Sequence, residues 1–282
     1  MEKDFIKLSI IIPVYNTPVR YLQECLDSIT KAKINYSYEI IIVNDGSKNK
    51  EVLDFLASYK EPHTSIIHKE NGGISSARNA ALGKRKGKFT LFLDSDDLLL
   101  PEINDAIEFL DNNTNYDVVY TDIHVFGNKE YKLKKGRFSK FKLLYIGHIT
   151  SASNLVRTSI IQNMRFNEDL VYAEDWDFWA RVASLGGRFK YYHKVFFKYR
   201  KMRDGASLSQ KNYNKREEIK SFIKSQFAPH KEITLREVNL YVLNNFRDNK
   251  KHICKLLIIL FFPWLFKVLK KKGIYKNDIV ID

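Results

Sequence analysis

Leu8-Ser9-Ile10-Ile11-Ile12-Pro13-Val14-Tyr15-Asn16 is the stretch that decides the fold. Its apolar part, Leu8–Val14, carries no charge and no strict alternation, the pattern of a strand covered on both faces. Tyr15-Asn16 ends the run in a turn. Pro18 then opens a helical period with Leu22, Leu26 and Ile29 on one stripe. The unit recurs: residues 39–43, 65–68, 89–93 and 118–121 read as further strands, with helical periods over 50–58, 74–82 and 101–110 between them. Strands alternating with helices are βαβ units, so the expected class is α/β with a doubly wound, mostly parallel, Rossmann-like sheet. Beyond it, 125–145 reads as a loop-bearing region rich in Lys, Phe and Gly. A helix over 174–185 is closed by Gly186-Gly187, and 188–199 is strand-like.

Polar residues 204–214 read as a boundary. The expected organisation is therefore an α/β domain over 1–212 and a basic, helical C-terminal extension over 213–282, with Pro263 kinking its last helix. The chain has 282 residues, 44% hydrophobic and 28% charged, enough to bury a core and too much for wholesale disorder. Cys25 and Cys254 stand far apart and in no C-x-x-C spacing. That excludes a disulfide scaffold or zinc knuckle and fits a reducing, cytoplasmic compartment. The acidic start does not suit a secretory leader, and Leu8–Val14 is too short to span a bilayer.

The net charge of +14 is unevenly placed. From Arg181 onward 24 basic side chains accompany 8 acidic ones, whereas the first 180 residues hold 23 and 25. A near-neutral front joined to a basic back points to one end facing something anionic and argues against a uniformly basic nucleic-acid binder. Residues 256–266 form an apolar run flanked by lysines, too short for a spanning helix. Within 250–272 it suits an interfacial helix on an anionic membrane, at the inner face of the plasma membrane, or a contact with protein such as a homodimer.

In open α/β sheets ligands bind beyond the carboxyl ends of the strands. Four consecutive strands deliver polar turns there: Pro13-Val14-Tyr15-Asn16, Asn44-Asp45-Gly46-Ser47, Asn71-Gly72-Gly73 with Arg78, and Asp94-Ser95-Asp96-Asp97. Three carboxylates on one short turn repel one another, a conflict that a divalent cation removes, and oxygen-only ligands suit Mg²⁺ or Mn²⁺. Asp97 can instead cap the helix after Pro101. Gly72-Gly73 before a helix offers bare N–H groups to an anion, and Arg78 one turn inside can reach a phosphate or a base. Asp45 can pair with a nucleobase N–H or merely close the Asp45-Gly46 turn. Glu174-Asp175-Trp176 forms a second acidic cluster at a helix N-terminus. It is either favoured by the helix dipole or is a base set against a sugar-stacking face of Trp176 and Trp179.

Together these motifs, in order and spacing, resemble the inverting, nucleotide-sugar-dependent family 2 glycosyltransferases of GT-A fold over about the first 205 residues. The resemblance implies a UDP-sugar donor and an acceptor hydroxyl on a glycan, glycoprotein or lipid-linked molecule, with no nucleic-acid partner. It implies that Asp45 recognises uracil with the Pro13–Tyr15 turn and Arg78, that Asp94 lies at ribose and metal, that Asp96 is the main ligand of the DXD motif, and that Asp175 is the catalytic base. Many relatives place a metal-binding His after the last strand. Here the stretch around Arg203 holds none, and Arg203 would neutralise the leaving diphosphate instead. A sugar nucleotidyltransferase would want a Gly-rich basic loop where Asn16-Thr17-Pro18 stands, and a dinucleotide oxidoreductase a G-x-G-x-x-G there. A nucleic-acid binder would act through the basic tail.

Overall fold

The computed structural model describes residues 5–140, 142–146 and 150–202, with 218, 219, 222, 223 and 226. Contacts divide the chain into one unit of residues 1–138 and 148–226 and another of 139–147 and 227–282. The boundary expected at 212, Arg203, and the 250–272 segment lie outside the described residues. Among the described residues no helix is long and apolar enough to cross a membrane.

The chain runs β1 Leu8–Val14, α1 Val19–Lys31, β2 Tyr38–Asp45, α2 Lys50–Ser58, β3 Thr64–Lys69, α3 Gly73–Leu82, β4 Phe89–Phe92, β5 Leu98–Leu99 and α4 Ile103–Asn112. It continues through β6 Val118–Thr121, β7 Ile123–Gly127, β8 Tyr131–Leu133, β9 Leu155–Arg157, α5 Glu174–Ser184, β10 Phe189–Tyr192 and β11 Phe197–Lys201. The main sheet has the order β10-β6-β9-β4-β1-β2-β3, with β1, β2, β3 and β4 mutually parallel, β6 parallel to β10, and β9 antiparallel between β4 and β6. The expected mixed α/β architecture around a mostly parallel sheet is therefore the observed one.

All seven residues of β1 are buried, which explains the absence of alternation. Leu8, Ile10, Ile12 and Val14 join the stripe of α1 (Leu22, Leu26, Ile29) and the apolar faces of α2 and α4 in the main core. Opposite, α3 packs on β1 and β2 through Ala77 and Ala81, which have no side-chain bulk to hold it away. Each buried isoleucine contributes roughly 1.5–3 kcal/mol.

The structure corrects two readings. The region taken as loop-bearing contains the β7–β8 hairpin, and strand-like 188–199 is two strands, β10 in the main sheet and β11 in a second one. That second sheet, β5-β11-β7-β8, pairs β11 parallel to β7 and antiparallel to β5. Since β5 begins one residue after Asp97, the small sheet grips the C-terminal side of the acidic turn. The strand order reverses between β1 and β4, and this switch point opens the crevice at their carboxyl ends.

Candidate active site

The turns after β1, β2, β3 and β4 meet at this crevice and are tied to one another. Asn16, in left-handed conformation at φ +50°, accepts the backbone N–H groups of Lys48 (2.8 Å) and Asn49 (3.0 Å) on its Oδ1. Its own N–H donates to Ser47 Oγ at 2.9 Å. Thr17 and Ser95 hydroxyls share a hydrogen bond of 2.7 Å, joining the first turn to the acidic one. Gly46 lies at φ +70°, and a Cβ there would stand 2.6 Å from the Asn71 backbone nitrogen, so only glycine lets these two loops approach.

Asp45 is buried, and its carboxylate accepts four donors: Lys69 Nζ (2.7 Å) and Gly72 N–H (3.0 Å) on Oδ1, Asn71 Nδ2 (3.1 Å) and Gly73 N–H (2.8 Å) on Oδ2. That fills the capacity of a carboxylate. It also corrects the view of Gly72-Gly73 as bare N–H groups, because Asp45 is already the anion at this helix start. Pro13 and Val14 are buried in the sheet, and of that turn Tyr15 alone is well exposed, at 51%. Its ring is the flat surface this rim offers.

Arg78 is not the solvent-reaching cation expected from its position. Its side chain is 1% exposed, and it donates at 2.8 Å to Asp94 Oδ1 and at 2.8 Å to Glu174 Oε1. The guanidinium also lies over Phe166, 5.1 Å from the ring centre, and Phe166 stacks on Phe178 of α5 at 4.1 Å. Burial works against the charge of Arg78, but Asp94 and Glu174 outweigh it and hold the pKa above its ordinary value. One side chain thus joins the two acidic clusters that the sequence kept 80 residues apart. Next to Arg78, Asn79 clamps the backbone of Phe166 through both ends of its amide (2.7 and 3.0 Å).

On the acidic turn, Asp97 N–H closes onto the Asp94 carbonyl at 3.0 Å. Asp97 does not cap α4, whose N-cap is Glu102. Its buried carboxylate accepts the backbone N–H of Arg200 at 2.8 Å. Burial first, and the charge of Asp94 second, push the Asp96 carboxyl up to about 6. Asp97 is raised as well, by burial and by Asp96 and Asp94.

The second cluster opens α5 after Ala173, a left-handed residue that turns the chain into the helix. Burial raises both Glu174 and Asp175, against the lowering influence of Arg78, and Asp94 adds to the rise at Asp175. Asp175 Oδ1 accepts the Trp176 backbone N–H at 2.8 Å. A partly buried carboxylate with a raised pKa is a better proton acceptor than an ordinary one. Trp176 and Trp179 do not form a sugar-stacking face: both are buried, Trp179 against Phe92, Phe178 and Phe189 with its indole N–H donating to Ser151 O at 2.8 Å.

Two functional candidates escaped the sequence reading. Tyr199 on β11 is 37% exposed, and burial together with the charges of Asp97, Asp94, Asp96 and Asp175 holds its phenol neutral. It therefore lies in the field of both clusters. Lys135 lowers the Asp175 pKa by its charge. Its backbone N–H is fixed on Asp122 Oδ1 (2.8 Å), which also accepts the Tyr191 hydroxyl (2.8 Å). Period two in Phe197–Lys201 would group Tyr199 with the buried Phe197, so no sequence signal points to it.

At the switch point the structure thus gathers two acidic clusters joined by Arg78. Comparison with known proteins gives the family. The model of glycosyl transferase family 2 matches residues 9–197. An uncharacterized glycosyltransferase of Methanocaldococcus jannaschii is 28% identical over all of this chain and 94% of its own length. The minor teichoic acid biosynthesis protein GgaB of Bacillus subtilis is 30% identical over 74% of this chain, which spans 25% of GgaB. Among solved structures, S. aureus TarS 1–349 in complex with UDP-GlcNAc superposes with a TM-score of 0.64 at 22% identity, over 87% of this chain and 74% of that one. The fold is that of TarS. With two-thirds of its residues matched by the family model, the chain belongs to glycosyl transferase family 2.

Proposed function

We propose that this glycosyltransferase moves a sugar from a UDP-sugar to an acceptor hydroxyl with inversion, assisted by a divalent metal, with Asp175 as general base. The observation that carries the reading is the Arg78 bridge, which brings Asp94 and the start of α5 to opposite ends of one guanidinium. In this reading the donor-side carboxylates and the base would face a common crevice, the arrangement needed for in-line displacement at an anomeric carbon. UDP as the nucleotide is supported by the UDP-GlcNAc held in TarS, and a cell-surface glycan as acceptor by the similarity to GgaB.

Asp94 and Asp96 fit Mn²⁺ or Mg²⁺ in chemistry. They are hard oxygen donors on one short turn, and the charge of Asp94 adds to burial in disfavouring the bare Asp96 carboxylate, a conflict that a cation would relieve. Among the described residues no cluster of three or more ligating side chains is assembled beforehand, so donor phosphates would complete the shell. When bound, such a cation neutralises charge on the departing diphosphate.

The protein's own groups do the rest. Tyr15 offers its ring to the base. Asp45 holds the start of α3, and exchange of Lys69, the longer of its two side-chain donors, for a nucleobase N–H would open a hydrogen-bond acceptor for uracil. Asp175, ionised above its raised pKa, takes the acceptor proton. Arg78 keeps Asp175 from rising further while holding Asp94 toward the donor. In this reading Glu174 positions Arg78, and Trp176 anchors the helix rather than contacting sugar.

The test is Asp175→Asn, with slow hydrolysis of a panel of nucleotide sugars in Mn²⁺ and transfer to acceptor both measured. Turnover should fall by about 10²–10⁴ while donor binding stays within a factor of a few. Unchanged turnover would place the base elsewhere.

A further inference from the structure

Arg200 on β11 draws three parts of the molecule onto one side chain. Its guanidinium carbon lies 4.3 Å from the Tyr21 ring centre and 4.4 Å from that of Phe126, a cation held between two rings from α1 and β7. Nε donates to the backbone carbonyl of Asp96 at 2.7 Å, and a terminal nitrogen donates to Glu24 of α1. The backbone N–H of the same residue donates to Asp97 Oδ1. Two consecutive residues of the acidic turn are thus fixed by one residue, at a carbonyl and at a carboxylate. Downstream, pairing of Lys198 with Leu98 and of Phe197 with Leu99 ties the turn to the same strand.

The turn needs such a hold. Three carboxylates within four residues repel one another, and burial sharpens the repulsion because little water screens it. Arg78 answers the charge of Asp94 from one side. From the other side Arg200 meets the backbone, and leaves the carboxylates of Asp94 and Asp96 out of its own bonds. A lysine cannot replace it, since an ammonium has no planar face to lie between rings and no rigid fork to reach a carbonyl and a carboxylate in different directions.

We propose that Arg200 is the positioning residue of the acidic turn, fixing the backbone at Asp96 and Asp97 so that the Asp94 and Asp96 carboxylates converge on a shared divalent cation, without itself touching the donor. This rests on the metal-assisted reading and extends it to a residue that bonds the backbone of the acidic turn.

The experiment uses the full chain with Arg200→Met, Arg200→Lys and Glu24→Gln. Glu24 is half exposed, so its variant spares the core. Free Mn²⁺ is followed by electron paramagnetic resonance in the presence of UDP, and uridine binding is measured by calorimetry without metal. Arg200→Met should weaken Mn²⁺ binding about tenfold or more, the usual scale for losing a group that orients a ligand. Uridine affinity should stay within about twofold, Arg200→Lys should recover little, and Glu24→Gln should shift Mn²⁺ binding in the same direction by a smaller factor. If Arg200→Met does not fold, Glu24→Gln decides. Wild-type Mn²⁺ affinity in the folded Arg200 and Glu24 variants overturns the proposal, as does an equal loss of uridine and Mn²⁺ binding, which would mark a general structural role. A wild-type chain that binds UDP and takes up no Mn²⁺ overturns the metal reading instead, so the two failures are distinct.

Discussion

Arg78→Met separates the strut from its two carboxylates while keeping most of the buried stem volume. The guanidinium makes two charge-assisted hydrogen bonds, to side chains only 28% (Asp94) and 14% (Glu174) exposed. Breaking a buried pair by removing one partner typically costs about 3–5 kcal/mol, because the other charge is left without compensation. The loss should depend on pH, with a definite sign. Glu174 and Asp175 already sit above their ordinary values of 4.5 and 3.8, through burial, with Arg78 pulling them back down. Without Arg78 both rise further. A carboxylate raised in the folded state contributes stability at acid pH and loses it as pH climbs from the unfolded toward the folded value. The variant should therefore be worst at pH 8, by about 3–5 kcal/mol, and recover toward the wild type near pH 4, where protonated carboxyls need no partner. Urea unfolding followed by circular dichroism at both pH values reads this directly, as a midpoint shift of about 2 M at pH 8 for an m-value near 2 kcal/mol/M. A deficit below about 1 kcal/mol at pH 8, or one equal at the two pH values, would refute the strut.

Asp96→Ala should weaken Mn²⁺-supported UDP-sugar binding in calorimetry, and an unchanged isotherm would remove Asp96 from the ligand set. The rate of transfer should rise with pH along an acid limb above the ordinary carboxylate range, since burial raises Asp175, the proposed base. A limb at the ordinary carboxylate value, in a pH–rate profile taken at saturating donor, contradicts this. Gly46→Ala should cost roughly 1–3 kcal/mol in urea unfolding, because a methyl group would press on the Asn71 backbone at positive φ. Full stability would show that the loops can part.

Buried strands and stripes of leucine and isoleucine carry their own signature, which is why β1, β2, β4 and the helices beside them are legible. The second sheet was not. Its strands have two to five residues and gain their order from partners far along the chain, such as Leu98 with Lys198. The same limit governed the site. The rim was readable because polar turns follow apolar runs, yet the burial of Arg78 depends on Glu174, 96 residues away, and a lone arginine after a glycine pair looks solvent-facing. Trp176 and Trp179 were misplaced because helical spacing says which residues share a face, not whether that face meets sugar or the underside of a sheet. Arg200 falls one position past the strand-like stretch 188–199, and only the structure brings it inside β11.

The lacing of Asn16 to residues 48 and 49, of Thr17 to Ser95, and of residue 46 to 71 has a consequence for exchange between relatives. These segments act as a single casting, so transplanting one of them alone would break bonds in the others. A chimaera that carries all of them as a set should keep its nucleotide handling, whereas piecemeal grafts should show strongly non-additive losses.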